Sequence, residues 1–400
     1  MKILMLVLDG GGDLGSKTPY ETASKPAIDS LAARGTCGLL DIFSVCHKGT
    51  AQSDLGYLNL LGFYSKETYP GRGYLEALGL GMEDICESDI CIRGNFATLG
   101  ANGNILDRRA GRDETGLEEL AESIDGLEID GVHFFVRKSA GHRVVIILRP
   151  LDEGVKISTE LESNDPEEDD VPVRQFRPKK PEAKFTASVL NKFIFKTNKI
   201  LSEDGINAER KFPANVILMR GFSRKTEVET FRTRYNMRSC CIGGIPIIKG
   251  VATFLGMDII TVPGATGYPN TNLDGKFSRA ADALKKYDFV LLHINGTDIL
   301  SHDAKREEKA RFIEKIDRKL GEMLKTLDMK NTVVVVTSDH RTASAPDYKL
   351  YRHTCDPVPV MISGGGIKPG LARKFDEKAC EKGFSIKGNE LIPFVLRQIK

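Results

Sequence analysis

The sequence predicts an α/β protein built on a doubly wound, mostly parallel sheet, with a smaller α+β domain inserted into it. Two observations lead to this prediction. Apolar runs without alternation recur along the chain and are separated by helical periodicities, as is typical of parallel strands buried on both faces. Three of these runs end at an aspartate, and open α/β sheets place their chemistry at the carboxyl ends of their strands. With 400 residues, the chain is long enough for two domains.

Composition and charge exclude several classes of function. The hydrophobic share of 41% and the charged share of 28% are those of an ordinary soluble protein. A formal net charge of +2 gives no support for nucleic-acid or membrane binding, and no apolar run reaches transmembrane length. The eight cysteines include no CxxC pair, so we expect mostly buried free thiols and a reducing, cytoplasmic location.

The first part of the chain, residues 1–64, alternates strands and helices. The run at 3–8 is the first strand; it leads directly into a Gly-rich loop and is therefore not interpreted as a signal peptide. The first helix, at 26–34, can be capped by Thr22 or Ser24 and ended by Gly35. The further elements predicted here are a strand at 36–43 and a helix at 53–61.

Residues 65–234 have a different pattern and predict the inserted domain. Strand-like runs at 90–99 and 142–148 have little helical pattern between them, which indicates an α+β module. The stretch 160–184 carries an acidic block followed by a basic, Pro-rich block, as is typical of a solvated loop. An amphipathic helix at 185–201 follows it.

The doubly wound pattern returns in residues 235–400, which we assign together with 1–64 to one discontinuous domain. Helical periodicities and apolar runs alternate there. The predicted helices are 245–255, 276–285 and 305–327, and the predicted strands are 258–262, 288–294, 332–337 and 358–363.

The aspartates that close strands, together with nearby histidines, predict a metal centre. Asp9, Asp298 and Asp339 each close an apolar run. His302 lies one helical turn after Asp298, and His340 directly follows Asp339. Carboxylate and imidazole ligands suit Mn²⁺, Zn²⁺, Co²⁺ or Fe²⁺. Taken alone, Asp339 and His340 are also consistent with a helix cap beside a surface histidine, and the spacing of Asp298 and His302 also occurs by chance in many helices. We group the candidates as Asp9, Ser53, Asp339 and His340 for one ion and Asp298, His302 and His353 for a second ion.

Ser53 is the candidate nucleophile, because it lies at a predicted loop-to-helix junction where backbone N–H groups suit a phosphate. An N-cap serine is the alternative interpretation, and Thr50 is the rival nucleophile. Two metals roughly 4 Å apart can clamp the attacking and leaving oxygens of a phosphoryl displacement. A serine bound to a metal loses its proton and becomes a nucleophile near neutral pH. Together these residues predict phosphoryl transfer.

Basic residues supply candidate substrate contacts. Arginine forks bind carboxylate and phosphate in a bidentate manner, and three arginines surround one glycine at 107–112. Taken singly, each basic residue is also consistent with an ordinary surface cation. The candidate substrate-binding residues are Arg108, Arg109, Arg112, His142, Arg220 and Lys249.

The segment 53–62, SDLGYLNLLG, resembles the nucleophile segment of cofactor-independent phosphoglycerate mutases of the archaeal type, in the alkaline phosphatase superfamily. The resemblance covers nearly the whole chain. Two residues depart from the family's pattern: Gln52 precedes the serine where a glycine is usual, and Tyr57 stands where a histidine is common. Other segments similar to motifs of this branch are 70–79, 107–112, 249–252, 263–267 and 296–303.

The resemblance implies an alkaline-phosphatase-like domain interrupted by a substrate-binding cap, with two divalent metals and a phosphoserine intermediate at Ser53. It implies interconversion of 3-phosphoglycerate and 2-phosphoglycerate without bisphosphoglycerate, as in glycolysis and gluconeogenesis. We expect manganese, with cobalt or zinc as alternatives, and a small-molecule phosphoglycerate as the substrate. The alternatives are a phosphopentomutase-like enzyme or a phosphomonoesterase of the same superfamily, and a non-catalytic, metal-dependent protein that binds a phospholigand.

Overall fold

The computed structural model describes residues 1–43, 51–82, 84–345 and 353–399. The chain divides into two compact units: Met1–Glu67 together with Val228–Lys400, and the contiguous segment Thr68–Glu227. We call them the larger unit and the smaller unit. Their roles as metal-binding and substrate-binding domains remain predictions.

The secondary structure of the described residues is as follows. The strands are β1 (Lys2–Leu8), β2 (Thr36–Asp41), β3 (Ile90–Leu99), β4 (Ile105–Asp107), β5 (Leu127–Ile129), β6 (Val132–Lys138), β7 (Arg143–Pro150), β8 (Val216–Ser223), β9 (Ser239–Ile242), β10 (Asp258–Ile259), β11 (Phe289–Ile294), β12 (Thr332–Thr337), β13 (Arg341–Thr342), β14 (His353–Thr354), β15 (Val358–Gly364) and β16 (Phe384–Lys387). The helices are α1 (Pro19–Thr22), α2 (Pro26–Arg34), α3 (Ser53–Leu60), α4 (Arg72–Gly79), α5 (Leu117–Glu122), α6 (Lys184–Glu203), α7 (Gly205–Glu209), α8 (Phe231–Tyr235), α9 (Pro246–Phe254), α10 (Leu273–Lys286), α11 (Gly296–His302), α12 (Arg306–Leu324), α13 (Glu377–Cys380) and α14 (Leu391–Gln398). Short 3-10 helices span Ala110–Arg112, Pro181–Ala183 and Gly388–Glu390.

The larger unit is built on a mixed, mostly parallel sheet. Eight of the described strands form it in the order β10-β9-β11-β1-β12-β15-β2-β16. β15 is antiparallel to both of its neighbours, and the other pairs are parallel. β1 is central, and its residues from Ile3 to Leu8 are completely buried, as the unbroken apolar run predicts. β13 and β14 form a separate two-stranded antiparallel sheet in which Thr342 lies opposite His353.

The smaller unit contains an antiparallel sheet. Its strand order is β4-β3-β7-β6-β5, and β8 pairs with β3. Helix α6 packs on one face of this sheet, where the rings of Phe134 and Phe193 stack with their centroids 4.2 Å apart. Residues two apart on a strand share a face, and on β3 the face opposite α6 carries polar side chains. Arg93 and Asn95 of β3 lie there, opposite Arg220 of β8 and Arg143 of β7 respectively.

The fold class expected from the sequence is confirmed: a large, mostly parallel sheet and a separate antiparallel sheet are both present. Five of the seven described cysteines are buried and free, including the adjacent Cys240 and Cys241. No helix among the described residues is both long enough and apolar enough to cross a membrane. The cytoplasmic location remains a prediction.

The predicted cap of α2 is wrong. Lys25 occupies the N-cap position of the helix, so neither Thr22 nor Ser24 caps it. Thr22 instead ends the preceding helix α1. The first N–H groups of α2 are instead accepted by Asp317 of α12, whose carboxylate oxygens lie 3.2 Å from the Ala27 nitrogen and 2.7 Å from the Ile28 nitrogen. A carboxylate from a distant helix therefore replaces the local cap.

Candidate metal centre

Three adjacent parallel strands of the larger unit bring predicted ligands to one edge of its sheet. β1 lies between β11 and β12 and is parallel to both. The chain therefore leaves all three strands at the same edge. Asp9 directly follows β1, Asp298 lies in α11 just after β11, and Asp339 lies just after β12.

Asp9, Asp339 and His340 form a first ligand group, with one ligand atom of each lying within 4.8 Å of the others. The His340 Nε2 is 3.4 Å from Asp9 Oδ1 and 3.2 Å from Asp339 Oδ2. These two carboxylate oxygens are buried and have no hydrogen-bond donor among the described residues. The other Asp339 oxygen accepts the Gly10 N–H at 3.0 Å, so the side chain is fixed while one oxygen stays available.

Asp298, His302 and His353 form a second ligand group. Asp298 Oδ2 lies 3.3 Å from His302 Nε2, and its Oδ1 lies 3.3 Å from His353 Nε2. The two imidazole Nε2 atoms are 3.0 Å apart. The His353 Nδ1–H donates to the Ala51 carbonyl at 2.8 Å, which leaves the Nε2 lone pair of a neutral ring facing Asp298.

His340 connects the two groups. A ring nitrogen of His340 also lies within 4.8 Å of ligand atoms of Asp298 and His353. The rings of His340 and His353 stack with their centroids 3.7 Å apart and their planes 17° apart. The structure therefore brings all six predicted aspartate and histidine ligands into one continuous cluster.

The cluster concentrates three buried carboxyl groups. Burial and the negative charge of Asp9 raise the pKa of Asp339 well above its usual value. Burial alone would raise the pKa of Asp9 and Asp298, but neighbouring histidines outweigh this effect, and the pKa of each is lowered. The pKa of Asp298 lies well below its usual value. Carboxylates this close repel one another, and a divalent cation relieves that repulsion. The donor set of carboxylate oxygens and imidazole nitrogens, including the two unpaired oxygens, fits such a metal.

Ser53 lies at the edge of this cluster. Its Oγ is 3.4 Å from His340 Nε2. It is the first residue of α3, and the N-cap position is taken by Gln52, so Ser53 is not an N-cap serine. Helix α3 approaches the metal-ligand cluster closely, since a Cβ atom on Gly56 would lie 2.9 Å from the Asp339 carbonyl oxygen. The rival Thr50 lies outside the described residues.

The two departures from the family's pattern are accommodated locally. Gln52 has φ −113° and ψ 140°, an extended conformation that any residue adopts, so the turn before Ser53 does not need a glycine. Tyr57 is completely buried and packs edge-on against His293, with ring centroids 5.6 Å apart.

Sequence reasoning missed two buried residues beside the cluster. His293 lies in β11, and its Nε2 is 3.0 Å from Asp9 Oδ2, so it orients the Asp9 carboxylate through the oxygen that does not face His340. Lys309 lies in α12 with no exposed surface, and its ammonium group donates to the carbonyls of Gly10, Gly12 and Thr342. The only sequence signal was that of His293, a polar residue in an otherwise apolar run, whereas Lys309 lies in a charged stretch and gave none.

The predicted basic residues of the smaller unit have different environments. Arg108 already binds Asp165 through two hydrogen bonds of 2.9 and 2.8 Å. Arg220 approaches Asp165 only at 3.8 Å and Glu167 at 3.6 Å, so its guanidinium is held loosely.

An arginine cluster surrounds His142 in the smaller unit. Burial and the charges of four arginines lower the pKa of His142 to about 3. A buried carboxylate, Glu76, lies nearby with its Oε1 3.0 Å from Arg72 Nε and 3.3 Å from Arg93 Nε. Arginine stays charged in proteins, so the cluster carries more positive than negative charge and favours an anionic ligand. The arginines near His142 are Arg93, Arg109, Arg112 and Arg143.

Lys249 belongs to the larger unit, on α9. It lies within electrostatic range of Cys241 and of the buried Lys276, whose ammonium group donates to the His293 carbonyl at 3.0 Å. The structure thus places Lys249 in the larger unit and the other predicted basic residues in the smaller unit.

Comparison with known proteins places these features in a family. A family model described as the metalloenzyme superfamily matches residues 1–392. The chain is 39% identical over 407 residues to the 2,3-bisphosphoglycerate-independent phosphoglycerate mutase 1 of Methanocaldococcus jannaschii, covering 99% of this chain and 96% of the relative. It is 36% identical over 408 residues to the 2,3-bisphosphoglycerate-independent phosphoglycerate mutase of Thermococcus kodakarensis, with 99% and 96% covered.

Two solved structures are similar along the whole chain. The PH0037 protein of Pyrococcus horikoshii is 30% identical with a TM-score of 0.82, covering 100% of this chain and 97% of that one. The cofactor-independent phosphoglycerate mutase of Thermoplasma acidophilum is 32% identical with a TM-score of 0.69, and both chains are completely covered.

Proposed function

We propose, since this chain belongs to the family of 2,3-bisphosphoglycerate-independent phosphoglycerate mutases, that Ser53 and the two ligand groups interconvert 3-phosphoglycerate and 2-phosphoglycerate through a phosphoserine. Members of this family are isomerases, and the superfamily to which the chain belongs is one of metalloenzymes. One observation carries the assignment of the residues. The Ser53 hydroxyl lies 3.4 Å from His340 Nε2, and that nitrogen faces the two unpaired oxygens of Asp9 and Asp339.

The reaction is a double transfer of one phosphoryl group. The Ser53 Oγ attacks the phosphorus of 3-phosphoglycerate, the bond from phosphorus to the C3 oxygen breaks, and that oxygen takes up a proton. Glycerate then presents its C2 hydroxyl, whose oxygen attacks the phosphoserine, so that 2-phosphoglycerate forms and Ser53 regains its proton. Divalent metals, when bound, supply positive charge for the phosphate oxygens and lower the pKa of the serine. The N-terminus of α3 adds N–H donors at Ser53.

A mutase must retain glycerate between the two transfers, whereas a phosphatase releases its alcohol. We propose that arginines of the smaller unit bind the carboxylate of glycerate. Arg112 belongs to the cluster whose positive charge lowers the pKa of His142, and the Arg220 guanidinium lies 3.8 Å from Asp165 and 3.6 Å from Glu167, beyond hydrogen-bond distance. Losing one bidentate, charge-assisted contact costs on the order of 1.5–3 kcal/mol. Replacing either arginine by methionine should therefore lower mutase activity roughly 10- to 100-fold.

The matched control is Arg177→Met, which removes an exposed arginine of the same unit. Each variant is assayed for mutase turnover and for hydrolysis of a generic phosphomonoester. We expect the ratio of mutase to hydrolase activity to fall for Arg112→Met and Arg220→Met and to stay constant for the control. An equal loss of both activities would show that these arginines do not hold glycerate.

The metals are proposed to be manganese, with cobalt or zinc able to replace it, because carboxylate oxygens and imidazoles suit these ions. Excess chelator should abolish turnover, and Mn²⁺ or Co²⁺ should restore it. Full activity in the chelator would contradict the metal-dependent reaction.

The decisive experiment supplies 3-phosphoglycerate and Mn²⁺ to the purified chain and follows 2-phosphoglycerate without bisphosphoglycerate. Parallel assays with ribose 1-phosphate and with a phosphomonoester test the phosphopentomutase-like and phosphatase alternatives. Formation of 2-phosphoglycerate supports the proposal. Binding of 3-phosphoglycerate with no turnover in the metal-reconstituted protein would instead support a non-catalytic phospholigand-binding protein.

A further inference from the structure

Thr342 touches one side chain from each ligand group. It lies in β13, two residues after His340, and its side chain is completely buried. Its Oγ1 is 2.9 Å from Asp298 Oδ1 and 3.0 Å from His340 Nδ1. Asp298 belongs to the second ligand group and His340 to the first, so a single hydroxyl spans the two.

Counting protons determines which atom donates in each contact. The hydroxyl of Thr342 has one proton, and an ionised carboxylate can only accept, so this proton goes to Asp298. The Thr342 oxygen can then only accept from His340, which places the imidazole proton on Nδ1. The Nε2 of the neutral ring is left with its lone pair, and Nε2 is the atom that faces Asp9 and Asp339.

The surroundings keep Thr342 in place. Its backbone N–H donates to the Gly12 carbonyl at 3.0 Å, and its carbonyl accepts from the buried Lys309 ammonium at 3.3 Å. Position 10 must be a glycine for the hydroxyl to reach both partners. A Cβ atom on Gly10 would lie 2.6 Å from Thr342 Oγ1 and 2.6 Å from Asp298 Oδ1.

We infer that Thr342 is a positioning residue that prepares both metal sites at once, by fixing the Nδ1–H tautomer of His340 and the orientation of the Asp298 carboxylate. The inference rests on the proposed function, because it takes His340 and Asp298 as metal ligands. Outer-shell hydrogen bonds of this kind typically change metal affinity about 10- to 100-fold.

The test compares three variants with the wild type. Thr342→Val keeps the shape of the side chain and removes the hydroxyl, whereas Thr342→Ser keeps the hydroxyl. Thr354→Val is the matched control, because Thr354 lies in the partner strand β14 and its buried Oγ1 has no hydrogen-bond partner among the described residues. Mn²⁺ binding to the metal-free proteins is measured by calorimetry, and the visible absorption of the Co²⁺-loaded proteins reports the ligand geometry. Circular dichroism confirms folding, and Thr342→Ala replaces the valine variant if that one does not fold.

We expect Thr342→Val to weaken binding at both sites about 10- to 100-fold and to change the Co²⁺ spectrum. Thr342→Ser and Thr354→Val should stay within about threefold of the wild type. The inference is overturned if Thr342→Val binds both ions normally, if only one site weakens, or if Thr342→Ser is impaired as much as Thr342→Val. A wild-type protein that binds no metal would overturn the proposed function together with the inference.

Discussion

Replacing Lys309 by methionine should strongly destabilise the larger unit. The ammonium group is completely buried in α12 and lies 2.9 Å from the Gly10 carbonyl and 3.3 Å from Asp13 Oδ2. Methionine keeps the length of the side chain but removes every donor. The substitution therefore leaves the buried Asp13 carboxylate without its cation.

The magnitude follows from what Asp13 retains. Breaking a buried ion pair by removing one partner costs about 3–5 kcal/mol. Asp13 still accepts hydrogen bonds from the Ser344 hydroxyl, the Ser344 N–H and the Leu14 N–H, so the lower end, about 3 kcal/mol, is expected. Lys319 on the same helix provides the matched control, since its side chain is 29% exposed and pairs with exposed Asp274 and Glu322. Lys319→Met should leave the free energy of unfolding nearly unchanged, because exposed ion pairs contribute little.

The assay is urea denaturation of the metal-free proteins, followed by circular dichroism. Adding Asp13→Asn to Lys309→Met removes the stranded negative charge and should recover part of the lost free energy of unfolding. A loss for Lys309→Met no larger than for Lys319→Met would refute the reasoning. A double variant as unstable as the single one would show that the unpaired charge is not the cause.

Three further predictions concern single positions. Ser53→Ala should abolish phosphoryl transfer while the protein still binds metal, and phosphopeptide mapping that finds phosphate on a different residue of the wild type would reject the assignment. Gly10→Ala should weaken metal binding more than Gly366→Ala. Both glycines have positive φ, but only at position 10 would the new Cβ lie 2.6 Å from Asp298 Oδ1. Equal metal affinities of the two variants would contradict this. Burial lowers the pKa of Lys276 to about 8, below the unfolded value of 10.5. Between pH 8 and 10.5 the unfolded state therefore holds this proton more often than the native state, and the free energy of unfolding increases as the pH rises. Lys276→Met should remove that gain, by order of magnitude about 3 kcal/mol, and parallel pH profiles of unfolding for both proteins would disprove it.

The metal centre could be predicted largely because of strand geometry. Parallel strands end at a common edge, so aspartates that close separate apolar runs meet whenever those strands are neighbours. Asp9, Asp298 and Asp339 satisfy this rule, since β1 lies directly between β11 and β12. The pairing partners themselves were not encoded locally, but the apolar runs that form β1, β11 and β12 were each recognisable.

The supporting residues could not be predicted because their environment is set by distant parts of the chain. Lys309 lies in a highly charged helix and has the sequence context of a surface lysine, yet its face of α12 is covered by the Gly-rich loop after β1. His293 lies in a strand that is buried on both faces, so the strand has no alternation of polar and apolar residues that could indicate which face His293 occupies. The cap of α2 comes from Asp317, which is 290 positions from Ala27.

The central position of β1 has a consequence for the order in which the chain folds. Lys2 in β1 and Asp288 just before β11 are in contact across 286 positions, and both sheet neighbours of β1 lie beyond that point. At about 5–20 residues per second, a ribosome needs roughly 15–60 s to bridge that distance. The smaller unit, which is one contiguous segment, can fold during this interval. During this interval the apolar strand β1 can pair with neither β11 nor β12. New chains are therefore expected to depend on chaperones that shield exposed strands.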